Sequence, residues 1–114
     1  MLQIVRAIMS KHFCKFEGMK SLDVFKKQLT LHKKRLAKKY SIASIAIFGS
    51  YARGDFNKAS DLDIMVDFNG DVGIEFVDLA EELENLLQIP VDLVSKNGIK
   101  PKYLQLITAE LIYV

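Results

Sequence analysis

Residues 42–66 read Ile42-Ala43-Ser44-Ile45-Ala46-Ile47-Phe48-Gly49-Ser50-Tyr51-Ala52-Arg53-Gly54-Asp55-Phe56-Asn57-Lys58-Ala59-Ser60-Asp61-Leu62-Asp63-Ile64-Met65-Val66. An apolar run rich in Ile stops at Gly49-Ser50, a polar loop with Gly54 and Asn57 follows, and a second apolar run carries Asp61 and Asp63. The pattern predicts strand, turn, strand, with a short helix over 50–53. Side chains alternate along a strand, so Asp61 and Asp63 project to one side while Leu62 and Ile64 point to the other. Two like charges held that close raise each other's pKa unless a cation lies between them, and hard carboxylate oxygens favour Mg²⁺ or Mn²⁺. Gly49 lets backbone amides approach an anion, and Ser50 adds a hydroxyl and an N–H, which together describe a phosphate cradle. A cradle beside metal-binding carboxylates points to a nucleotide.

Gly49-Ser50, ten residues, then Asp61-Leu62-Asp63 resembles the signature of the DNA polymerase beta-type nucleotidyltransferases. The longer string Gly49-Ser50-Tyr51-Ala52-Arg53-Gly54 with Ser60-Asp61-Leu62-Asp63 is similar to the minimal nucleotidyltransferases, antitoxins encoded beside HEPN-domain toxins. The likeness runs from about Ser21 to Val114. It implies an α/β (α+β) domain: a small mixed sheet with helices on one side and the site at the exposed edge or opposite face. It also implies AMP transfer from ATP to a hydroxyl, expected to be a tyrosine, of a partner HEPN toxin.

Pro90 ends a helical segment and opens Val91-Asp92-Leu93-Val94-Ser95, which reads as a strand. An aspartate inside an apolar strand is costly to bury without a partner, and facing Asp61 and Asp63 across a metal supplies one. The resembling family takes a third carboxylate from a strand at this point. The resemblance thus makes Asp61, Asp63 and Asp92 both the catalytic residues and the ligands of two Mg²⁺ ions about 3.5–4 Å apart. Gly49, Ser50 and Arg53 become the nucleotide-binding residues, with Arg53 able to meet phosphate oxygens or pair with a carboxylate. Asp55 stands where that family often carries Glu, which keeps the charge and shortens the reach. Ser60 is read as a hydrogen-bonding residue of the loop and not as a ligand.

The 114 residues fit one domain with a modest core and leave no room for a separate substrate-binding domain. Half of the residues are hydrophobic and the mean hydropathy is +0.13, as in a globular chain. A net charge of only +2 makes no case for direct nucleic-acid binding. The single cysteine, Cys14, excludes an internal disulfide and fits a cytoplasmic location. No apolar stretch approaches the roughly 20 residues of a membrane helix. Residues 1–18 lack the ordered blocks of a signal peptide and read as an extension or frayed arm before a domain over 19–114. His12 and Cys14 have no further metal ligand near them in sequence.

Ser21 is placed to cap a helix in which Leu22, Phe25, Leu29, His32, Leu36 and Tyr40 form the apolar stripe. Its lysines and Arg35 read as a solvated face with weak steering of nucleotide as a by-product. A second helix over 74–88 buries Phe76, Leu79, Ala80, Leu83, Leu86 and Leu87, with Glu75, Asp78, Glu81, Glu82 and Glu84 outside. Asp67 shares the face of Asp61 and Asp63 if the strand persists that far, though a place at the strand end favours exposure. Pro101 opens a last helix, and Glu110 to Val114 form a tail that packs on the sheet or meets a partner.

Two other functions compete: a non-catalytic antitoxin that masks a HEPN ribonuclease by contact alone, and adenylylation of a small molecule. The complete acid set opposes the first and the missing second domain opposes the other. Base specificity and homo-oligomerisation are not encoded in any feature of the sequence.

Overall fold

The structure, a computed structural model, describes residues 21–57 and 59–114. The extension expected over 1–18, with His12 and Cys14, lies outside the described residues.

The elements run α1 (Leu22–Tyr40), β1 (Ile42–Phe48), α2 (Ser50–Arg53), β2 (Leu62–Phe68), α3 (Glu75–Leu87), β3 (Val91–Ser95), a 3₁₀ turn (Lys96–Gly98), α4 (Pro101–Thr108) and β4 (Ile112–Tyr113). The sheet order is β3-β2-β1-β4. β1 pairs antiparallel with both β2 and β4, whereas β2 and β3 are parallel because α3 carries the chain back between them. The sheet is mixed, as the resemblance implied.

Alternation along the strands makes two unlike faces. Ile45, Ile47, Leu62, Ile64, Val66, Val91 and Leu93 form the core face. Phe25, Leu29, Leu36 and Tyr40 of α1 pack on it together with Phe76, Leu79, Leu83 and Leu87 of α3. Of the helical steps read in the sequence these are buried with Ala80, while Leu22, His32 and Leu86 are only half-buried. At roughly 1.5–3 kcal/mol per fully buried large apolar side chain, this shared layer is the main support of the fold. Asp63 and Asp92 occupy the alternate positions of β2 and β3, away from that layer.

α1 begins at the expected place, with Ser21 extended at its N-cap, but the Ser21 side chain makes no capping hydrogen bond. Its carbonyl oxygen instead accepts from Val24 N–H at 3.1 Å. β2 runs to Phe68, so Asp67 is a strand residue opposite Ser44 and half-buried, not an exposed residue beyond the strand. Pro101 stands in the first turn of α4 as predicted, yet no α4 residue is fully buried. The tail packs back on the sheet: Ile112 pairs with Ile47, and Val114 N–H donates to the Ile45 carbonyl at 3.0 Å.

Two acids assigned to the outside of α3 are not there. Glu84 is fully buried and accepts a hydrogen bond from Val91 N–H at 2.8 Å, which ties the end of α3 to the start of β3. Glu82 lies between helices and accepts from Arg35, from Lys39 Nζ at 3.0 Å and from Tyr40 Oη at 2.7 Å. Burial alone would raise the Glu82 carboxyl, but hydrogen bonds from Arg35, Tyr40 and Lys39 overcome it and bring the pKa down to about 2. Part of the basic face of α1 is thus an interhelical clamp.

Candidate active site

Where β1 ends, β2 and β3 begin, so the strand ends gather the signature residues at one edge of the sheet. Asp63, the second residue of β2, has Phe48 as its antiparallel partner in β1 and Asp92 as its parallel partner in β3. Asp92 is thus turned to the same place as Asp63, as the sequence required of an aspartate in an apolar strand. Asp61 immediately precedes β2, half-buried, and not inside it as expected.

Charge crowding is marked at Asp63. Burial first, then the negative charges of Asp92 and Asp61 and a hydrogen bond with Asp92, push its carboxyl up to about 7, with Arg53 pulling the other way. Coupling of this kind places all three acids within electrostatic reach. Among the described residues no group of three His, Cys, Asp or Glu side chains already stands in metal-ligating geometry. The donor chemistry nevertheless fits a hard divalent cation. Asp63 lies beside Asp92 and Asp61, and a bound cation would relieve the repulsion that raises Asp63.

Gly49 closes the other side. Its backbone has φ 77° and ψ −153°, a region essentially reserved for glycine. A Cβ built there would lie 1.9 Å from Asp63 Oδ2, so only a residue without a side chain lets the carboxylate come this close. From this turn α2 starts at Ser50, with Arg53 N–H donating to the Gly49 carbonyl at 3.0 Å and Gly54 N–H to the Ser50 carbonyl at 2.8 Å. Tyr51 anchors the short helix: its ring stacks on Phe56 at 4.3 Å and meets Phe25 edge-on at 5.2 Å. Burial, and secondarily the charge of Asp61, raise its phenol pKa. Ser60 holds the loop as expected, its Oγ accepting from Asn57 N–H at 2.9 Å.

Arg53 is half-exposed and forms the carboxylate pairs that the sequence left open. Its Nε donates to Asp55 at 3.2 Å, so aspartate at 55 still reaches it. Its Nη1 donates to both carboxylate oxygens of Glu110, at 3.3 and 3.2 Å. Glu110 Oε1 also accepts from Gly49 N–H at 3.0 Å. Reading the sequence missed Glu110, Tyr51 and Glu84 at this site. Glu110 had one signal, being the sole acid after Asp92.

Residues 29–114 match the family described as the nucleotidyltransferase domain. Over 98 residues, 85% of this chain and 99% of the relative, the protein is 39% identical to the protein adenylyltransferase MntA of Thermococcus cleftensis. A solved structure of a candidate minimal nucleotidyltransferase superposes with a TM-score of 0.72 at 29% identity, covering 83% of this chain and 97% of the other. The chain belongs to the minimal nucleotidyltransferases. A second solved structure is a toxin–antitoxin complex with AMP-PNP, of TM-score 0.62 and 26% identity, covering 73% of this chain and 69% of that one. No helix among the described residues of this nucleotidyltransferase is long and apolar enough to cross a membrane.

Proposed function

We propose that this nucleotidyltransferase moves AMP from ATP to a hydroxyl, expected to be a tyrosine, of a partner HEPN toxin, and so silences that toxin in the cytoplasm. The observation that carries the reading is the register of Asp63 with Asp92 beside Asp61, against the side-chain-free face of Gly49. The toxin–antitoxin complex with AMP-PNP is similar in fold, and a relative is named a protein adenylyltransferase.

In this reading Asp61, Asp63 and Asp92 hold two Mg²⁺ ions. When bound, the cations supply charge neutralisation for the triphosphate and for the departing pyrophosphate. Gly49 N–H and Ser50 grip the β- and γ-phosphates, and Arg53 adds a guanidinium to the same oxygens. That grip presents the α-phosphorus for in-line attack. Asp92, at the start of β3, takes the proton of the attacking hydroxyl. The bond from the acceptor oxygen to the α-phosphorus forms as the bond to the pyrophosphate oxygen breaks. The partner's surface completes the acceptor pocket.

Incubation of the purified protein with labelled ATP, Mg²⁺ and the partner encoded beside it tests the reading. Label on the partner that disappears with Asp61→Asn/Asp63→Asn supports it. Equal labelling by the intact and doubly substituted proteins would leave only masking by contact.

A further inference from the structure

The donors assigned above to nucleotide phosphates are already engaged by an anion of the chain itself. Glu110 follows α4 and precedes β4, yet its carboxylate reaches the signature turn, 61 residues away in sequence, to accept from Gly49 N–H at 3.0 Å. The same carboxylate takes two contacts from Arg53 Nη1, at 3.3 and 3.2 Å. Its exposure is 23%, against 49% for Arg53, so the carboxylate is the more enclosed partner of the pair. A planar carboxylate seated on one backbone N–H and one guanidinium offers the charge and acceptor geometry of a phosphate edge.

We infer that Glu110 is a resident competitor for the phosphate-binding donors, which a nucleotide's phosphates must displace. This rests on the cradle role given to Gly49 and Arg53. Competition of this kind favours ligands that bring the most negative charge to the cradle. A triphosphate can satisfy both donors that Glu110 holds, Gly49 N–H and Arg53, while a monophosphate offers little more than the carboxylate it would evict. It also couples occupancy to the chain around Glu110. The turn between α4 and β4, closed by Glu110 N–H on the Ile107 carbonyl at 3.0 Å and Leu111 N–H on the Thr108 carbonyl at 3.4 Å, is released when the carboxylate leaves.

Calorimetric titration with AMP-PNP and Mg²⁺ tests this on the full chain, using Glu110→Gln, Glu110→Asp and Asp55→Asn. Asp55 takes Arg53 Nε, whereas Glu110 engages Gly49 N–H and Arg53 Nη1, so Asp55→Asn reports the general effect of removing a charge. If the cradle is closed about nine-tenths of the time, Glu110→Gln tightens AMP-PNP about tenfold. Glu110→Asp, which keeps the charge and shortens the reach, should tighten it as well, and by more than Asp55→Asn. Hydrogen exchange at 110–111 should speed up when AMP-PNP binds the intact protein and be fast already in Glu110→Gln. Binding by Glu110→Gln equal to or weaker than that of the intact protein overturns the inference and leaves the cradle standing. Absence of binding by every form, the intact protein included, overturns the cradle and the inference together.

Discussion

Asp63 Oδ2 lies 1.9 Å from the place a Cβ would take on Gly49, so the carboxylate and the glycine define one another's positions. Gly49→Ala should therefore act twice, through backbone strain at φ 77° and through eviction of Asp63. Strain alone is worth about 1–3 kcal/mol. Urea denaturation should show a loss of that order, and AMP transfer should fall further than the lost stability explains.

Stability without metal should depend on pH through Asp63. Its pKa stands at about 7 in the folded protein against 3.8 for an ordinary aspartate. Between those values the folded state binds more protons than the unfolded chain, so stability falls as pH rises from about 4 to about 7 and is level above that. Thermal denaturation in EDTA should trace this fall, and Asp63→Asn should flatten it. Adding Mg²⁺ at pH 8 should raise the Tm of the intact protein and leave that of Asp63→Asn almost unchanged.

Glu82 gives the opposite slope. Its carboxyl is held at about 2 against 4.5, so its contribution is complete above about 4.5 and is lost as pH falls toward 2. Glu82→Gln should cost about 1–2 kcal/mol at pH 7, because Arg35 and Lys39 are about half exposed and their pairs with Glu82 are screened by water. Denaturant midpoints at pH 3 and pH 7 check this, and AMP transfer should be unaffected.

Glu84 supports Asp92 from a distance. Replacing it with Ala removes the acceptor for Val91 N–H and leaves a void in a fully buried position, at a cost of about 2–4 kcal/mol. The start of β3 should loosen, so kcat should drop more than nucleotide affinity. Glu84→Gln keeps an acceptor and should recover most of the stability.

Much of this fold could be read in advance because burial follows local periodicity. Leu62, Ile64 and Val66 alternate with Asp63 and Asp67, and Phe25, Leu29 and Leu36 step at helical spacing. Asp92 was legible for a related reason, since a charge among Val91, Leu93 and Val94 needs a companion and Asp63 is its register partner. The contacts of Glu82, Glu84 and Glu110 were not legible. All three are acids whose partners lie on other elements, and no local pattern separates them from solvated neighbours such as Glu81. Ser21 shows the converse: a good capping residue type stood at the right position, and its carbonyl oxygen, not its hydroxyl, made the bonds.

In the proposed function three aspartates and the Gly49-Ser50 turn form one nucleotide and metal site. A crystal structure with Mn²⁺ and a non-hydrolysable ATP analogue tests it most directly. Anomalous peaks should be ligated by Asp61, Asp63 and Asp92, with the analogue's phosphates on Gly49, Ser50 and Arg53. Analogue and Mn²⁺ bound elsewhere, with the hydrogen bond between Asp63 and Asp92 intact, would contradict it.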